Sequence, residues 1–213
     1  MKTIKEKEIK EIFDLLAAVM LENKDWLIEL DGAMGDGDLG LTMSAGFAKI
    51  SETLKTFEEK DIGKIFIKAG MAMAQAVPST MGTLTASGLM AGGKAIGGKE
   101  EFTLTEYYQM LNGFAEGIMA RGKAKLGDKT IIDSLYPAVL SLKASDEERK
   151  TLEEGSRLAC EAAEHGFEKT REMLSRHGRA AYYQEKSIGR QDPGAAVGML
   201  FVKTFADYLG AAV

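Results

Sequence analysis

Apolar residues recur at spacings of three and four along most of this chain, and that period commits it to helices. Ile9, Ile12, Phe13, Leu16, Met20 and Leu27 mark a first stripe within residues 4–30, and Met43, Phe47, Ile50 and Leu54 a second over 41–57. Asp61 reads as the cap of a third, IGKIFIKAGMAMAQAV, which ends where Val77 meets Pro78 because a residue before proline avoids the helical region. The small-residue segment TLTASGLMAGGKAIGG suits a buried helix packed closely on its neighbours. Thr103 and Glu106 form a capping box ahead of the stripe Tyr107, Leu111, Phe114 and Ile118. After a break at Gly127 and Asp128 comes IIDSLYPAVLSLK; Ser145 and Glu148 then read as a second capping box before a long helix. A final apolar helix is predicted over 195–212. With three prolines in 213 residues and almost no strand alternation, the predicted fold class is all-α, with eight helices in a single domain over 1–213.

Composition narrows the functional classes. A net charge of −5 argues against nucleic acid as the main partner, and one cysteine excludes an internal disulfide framework. Two histidines leave little for a zinc site. MKTIKEKEIKEIF lacks the apolar core of a signal peptide, and Lys68, Lys94 and Lys203 break the longest apolar runs, so no membrane span and a cytoplasmic location are expected.

Four glycine-bearing loops separate the helices, at 30–42, 77–83, 121–131 and 178–194. They follow the first, third, fifth and seventh predicted helices. Alternate connections of an antiparallel bundle lie at the same end, so these four should share one rim. The first loop crowds Asp31, Asp36 and Asp38 among Gly32, Gly35 and Gly37. Such carboxylates repel one another unless a cation sits among them, which suits magnesium facing a phosphate ligand. They equally suit a solvated turn that caps the next helix. The second loop offers hydroxyls and N–H groups at a helix start, as a phosphate cradle or as simple capping. Arg121, Lys123, Lys125 and Lys129 in the third loop, with Arg179, Lys186 and Arg190 in the fourth, read as an anion-binding rim or as a solvated surface. Asp192-Pro193-Gly194 reads as a helix cap within reach of a ligand. GDGDLG (35–40) follows no strand, and GLMAGGKA (88–95) has Ala95 where a P-loop needs a hydroxyl; neither is a nucleotide motif here.

In order and spacing, D-G-A-M-G-D-G-D-L-G-L-T-M, R-G-K-A-K-L-G-D-K-T and G-R-A-A-Y-Y-Q-E-K-S-I-G-R-Q-D-P-G-A resemble the nucleotide-binding L subunit family of dihydroxyacetone kinases. The resemblance implies a closed barrel of eight antiparallel amphipathic helices with the nucleotide site at one rim. It implies two Mg2+ ions held by Asp31, Asp36 and Asp38, and ADP or ATP contacted by Leu39, Gly40, Leu41, Thr42, Thr80 and Met81. Gly122 and Ile131 would flank base and ribose, and Arg179, Asp192, Pro193 and Gly194 would close the pocket.

The implied activity is phosphoryl transfer to a short-chain ketose held by a separate K subunit, with no general base in this chain. The donor is either free ATP or bound ADP recharged by an M subunit of the phosphotransferase system. A non-catalytic, ADP-loaded coactivator of a transcription regulator stays open as the alternative, as does a homodimer. Three positions depart from the family pattern: Leu39 stands where histidine is usual, Pro78-Ser79-Thr80-Met81-Gly82 replaces a Gly-Gly-x-Ser-Gly loop, and Arg190 replaces a histidine. None is an implied metal ligand, and a four-carbon ketose is left open as substrate.

Overall fold

The computed structural model describes residues 3–211, and its regular structure is helical. It comprises α1 (Glu6–Glu22), α2 (Lys24–Gly32), α3 (Leu39–Lys55), α4 (Ile62–Ala76), α5 (Thr80–Ala95), α6 (Leu104–Gly122), α7 (Ile132–Glu147), α8 (Leu152–Lys169) and α9 (Pro193–Ala211). Two short 3-10 stretches, Thr170–Glu172 and Arg179–Ser187, lie between α8 and α9. Extended pairing among the described residues is confined to one bridge, where Ile4 and Phe102 exchange backbone hydrogen bonds of 3.1 and 2.8 Å. The predicted end of the last helix at Ala212 lies outside the described residues.

Among the described residues nine α-helices appear where eight were expected, because the first is broken at Asn23. Its side-chain amide donates to the Val19 carbonyl at 2.9 Å, competing with the backbone ladder there. Asp61 caps α4 as expected, accepting from the Lys64 N–H at 3.3 Å, and the Thr103–Glu106 box forms. The Ser145–Glu148 box does not form. Helix α7 runs past Ser145 and ends at Glu147, and Arg149 beyond it, with a φ of +56°, turns the chain. The box that opens α8 is Thr151–Glu154, with the Glu154 N–H donating to Thr151 Oγ1 at 3.1 Å.

From α3 onward each helix packs on its successor, α1 packs on α3, and α9 returns to α1. Enclosed between them is a row of aromatic rings: Phe13–Phe66, Phe66–Phe102, Phe102–Tyr107, Tyr107–Phe205, Phe205–Phe201 and Phe201–Phe114, with centroids 5.0 to 6.3 Å apart. Around that row the helices approach closely where glycine removes side chains. On α5, a Cβ at Gly92 would stand 2.6 Å from the Met110 carbonyl oxygen of α6, and one at Gly93 would stand 2.4 Å from the Gly63 oxygen of α4. The small-residue segment is thus the closely packed helix that its composition suggested. Gly92→Ala is expected to push α5 from α6 and to cost about 1–3 kcal/mol, read as a lower urea midpoint. Among the described residues, no helix is long and apolar enough to cross a membrane.

Candidate functional site

The four loops singled out in the sequence converge. Between them lies a cleft of about 320 Å³, lined by residues of the α2–α3, α4–α5, α6–α7 and α8–α9 connections. The break at Asn23 leaves this convergence intact, because α2 still precedes the acidic loop.

At one end stand the three aspartates. Each offers a carboxylate oxygen within 4.8 Å of those of the other two. The loop is shaped around Asp31: its Oδ2 accepts from the Asp38 and Leu39 N–H groups at 3.0 and 3.3 Å, and its carbonyl accepts from Gly35 at 2.6 Å. A Cβ on Gly35 would lie 2.8 Å from the Asp31 carbonyl oxygen and 2.3 Å from its Oδ1, so a side chain there would force the loop to shift, and Gly37 sits at φ +70°. Burial raises the Asp31 carboxyl, the Leu39 N–H opposes it, and Asp36 and Asp38 add like-charge repulsion; the net shift is upward. Three hard oxygen donors at this spacing, repelling one another, fit a divalent cation. Arg179 reaches in from the opposite side, its guanidinium 2.7 Å from Asp36 Oδ2.

The rest of the cleft is largely apolar, with Met81, Leu84, Ile118, Ala124 and Ile131 in its walls. Leu39, Thr80, Gly122, Pro193 and Gly194 also line it. Ser79 both lines the cleft and caps α5, accepting from the Gly82 N–H at 3.0 Å. Gly40, Leu41 and Thr42 are not in the lining. A Cβ on Gly40 would meet the Lys24 carbonyl oxygen at 2.1 Å, Thr42 is buried, and Leu41 is 56% exposed. The backbone of these residues begins α3; their side chains serve packing or face solvent.

Asp192 is the helix cap that the sequence offered, accepting from the Ala195 N–H of α9 at 2.7 Å, and it also borders the cleft. Burial first, then the charge of Asp133, pushes its carboxyl up to about 7. Between about pH 4 and about 7 the native carboxyl therefore keeps a proton that the unfolded chain has released, so stability falls as pH rises through that window. Asp192→Asn keeps an oxygen able to cap, and is expected to flatten this fall when urea midpoints are followed across the window.

Of the basic residues expected at the rim, only Lys129 and Arg179 line the cleft. Arg190 lies in a neighbouring hollow with Trp26, Glu29 and Arg171. Lys129 is turned inward, 2% exposed, and donates to the Ser187 carbonyl. Sequence reasoning missed Asp133, which shapes the third loop by accepting from the Gly127 and Thr130 N–H groups at 2.6 and 2.7 Å. It also missed Asp128 as the partner of His177, at 3.1 Å. The sequence signal for Asp133 was an acid in the first turn of a helix that follows a glycine loop.

A family model described as the DAK2 domain matches residues 33–207. The chain is 38% identical over 182 residues to the ADP-binding subunit DhaL of the PEP-dependent dihydroxyacetone kinase of Escherichia coli K12, covering 85% of this chain and 87% of that one. It is 31% identical over 200 residues to the ADP-binding subunit DhaL of PEP-dependent dihydroxyacetone kinase 2 of Listeria innocua, covering 93% and 92%. The native crystal structure of the C. freundii dihydroxyacetone kinase superposes with a TM-score of 0.74 at 25% identity, over 93% of this chain but 34% of that longer one. This chain thus spans about a third of the solved kinase. By the family match over most of its length and by its identity to these subunits, the chain belongs to the DAK2-domain family, alongside the L subunits of dihydroxyacetone kinase.

Proposed function

We propose that this chain is the nucleotide-carrying subunit of a short-chain ketose kinase, working with a separate ketose-binding K subunit. The observation that carries the reading is one cleft with three clustered carboxylates at one end and apolar walls at the other. That is the polarity a nucleotide needs, with phosphates among metal-binding oxygens and the base between Met81, Leu84, Ile118 and Ile131. Asp31, Asp36 and Asp38 would hold two Mg2+ ions. When bound, the metal supplies charge neutralisation for phosphates that bare carboxylates would repel.

The chain's own residues orient the ligand. Gly122 and Gly194 border the cleft, and Arg179 offers a planar cation to phosphate oxygens. The first turn of α3 and the start of α5, near Thr80, present backbone amides. The DhaL relatives are named ADP-binding and PEP-dependent, which favours retained ADP recharged by a phosphotransferase-system M subunit over exchange of free ATP. Tyr182, 88% exposed, and Leu126, half exposed, belong to the connections that also contribute Arg179 and Ala124 to the cleft, and suit a rim that a partner subunit covers.

The test is reconstitution. The purified chain with a K subunit and dihydroxyacetone or erythrulose should form phosphorylated ketose only when both proteins and a phosphoryl donor are present. No product with ATP, and none with a phosphorylated M subunit, would overturn the kinase reading.

A further inference from the structure

Beyond α8 the chain makes an excursion that returns almost to its starting point, the geometry of an Ω-loop. Its neck is closed by its own atoms: the Ser175 N–H donates to Ser187 Oγ at 3.0 Å, and the Gly189 N–H to the Arg171 carbonyl at 2.7 Å. Gly178, at φ +64°, and Arg179 lie within the loop, and it is Arg179 that reaches Asp36.

Two consecutive residues of a different connection grip this neck from outside. The Lys129 ammonium donates to the Ser187 carbonyl and, at 3.3 Å, to the Met173 carbonyl, so it joins the two feet of the loop. The Asp128 carbonyl accepts from the Arg176 N–H at 3.1 Å, and its carboxylate faces His177 Nε2 at 3.1 Å and Arg176 Nε at 3.8 Å. Burial alone would raise the Asp128 carboxyl, but the Lys125 N–H and His177 hold it below the ordinary carboxylate value.

This arrangement is costly. Lys129 is 2% exposed, burial lowers its pKa, and its φ of +61° is one that residues other than glycine seldom adopt. A lysine kept for phosphate contact would need neither the burial nor the two carbonyls.

We propose that Asp128 and Lys129 are positioning residues, clamping the neck of the 175–187 loop so that Arg179 is delivered over the acidic end of the cleft to meet the nucleotide's phosphates. The inference rests on the nucleotide reading above. Before ligand arrives, Arg179 pairs with Asp36 at an exposed site, where such pairs are weak, so the guanidinium transfers to phosphate at small cost.

Hydrogen exchange by mass spectrometry without nucleotide, paired with ADP titration in Mg2+, tests the clamp on the full chain. Lys129→Met is expected to raise exchange in 176–188 while the helices stay protected, and to weaken ADP about tenfold, the scale of one charge-assisted hydrogen bond. His177→Ala, at a partly exposed side chain, should do the same to a lesser degree, so misfolding of Lys129→Met does not close the question. Arg179→Gln should weaken ADP about as much with exchange unchanged. Lys129→Met combined with Arg179→Gln should lose about tenfold, not a hundredfold, because both act through one contact. Unchanged exchange in both clamp variants, or additive losses in the double variant, would overturn the proposal. If the wild-type chain binds no ADP, the nucleotide reading fails, and the exchange data still decide whether the clamp exists.

Discussion

Replacing Asp36 and Asp38 together by asparagine is expected to weaken Mg2+-dependent ADP binding at least about a hundredfold, with no loss of thermal stability. The two halves of this expectation have separate causes. Binding falls because a nucleotide's phosphates meet bare backbone and one remaining carboxylate instead of three oxygens that lie within 4.8 Å of one another. Stability holds because Asp36 and Asp38 contribute repulsion: both raise the Asp31 carboxyl. The loop's own shape is carried by Asp31, through the Asp38 and Leu39 N–H groups, which the substitutions leave alone. Melting curves without ligand and calorimetric titration with Mg-ADP read the two halves. A variant that melts well below the wild type would mean that the carboxylates serve the fold, not a metal.

Phe205→Ala carries the largest expected effect on stability, about 3–5 kcal/mol. The ring is fully buried on α9 and packs on Tyr107 at 5.0 Å, Phe201 at 5.3 Å and Phe102 at 6.3 Å. Its removal opens a cavity at the middle of a row that ties α1, α4, α6 and α9 together, and rigid neighbouring rings collapse poorly into such a space. For a domain of this size the melting temperature should fall by roughly 10 °C. Phe57→Ala, a half-buried ring on the connection before α4, should cost far less, and the contrast tests whether the aromatic row is the core's keystone.

Most of what positions the site was legible because helical period and turn chemistry are local. Counting stripes placed four glycine loops at alternate connections, and the cleft is where those loops meet. The count was one helix short, yet the loops kept their order along the chain. Residues whose roles depend on distant chain were not legible. Lys129 looked like one cation in a solvated run; its burial is set by carbonyls at Met173 and Ser187, far along the sequence. Ser145 and Thr151 each stand three residues ahead of a glutamate, and sequence alone gave no reason to prefer the second. The difference is made by Arg149, whose left-handed turn ends α7 only after Ser145 has been absorbed into it. Why position 40 is glycine was likewise not legible: a Cβ there would meet the Lys24 carbonyl of α2, a contact that only the fold creates.

On the proposed function, Asp31, Asp36 and Asp38 turn this cleft into a metal-dependent nucleotide site. The most direct measurement is a titration of ADP into protein freed of any retained nucleotide, with Mg2+ and then with EDTA. Saturable binding and a raised melting temperature with Mg2+, both lost in EDTA, are the expected result. Binding of equal strength in EDTA, or none under either condition, would contradict it.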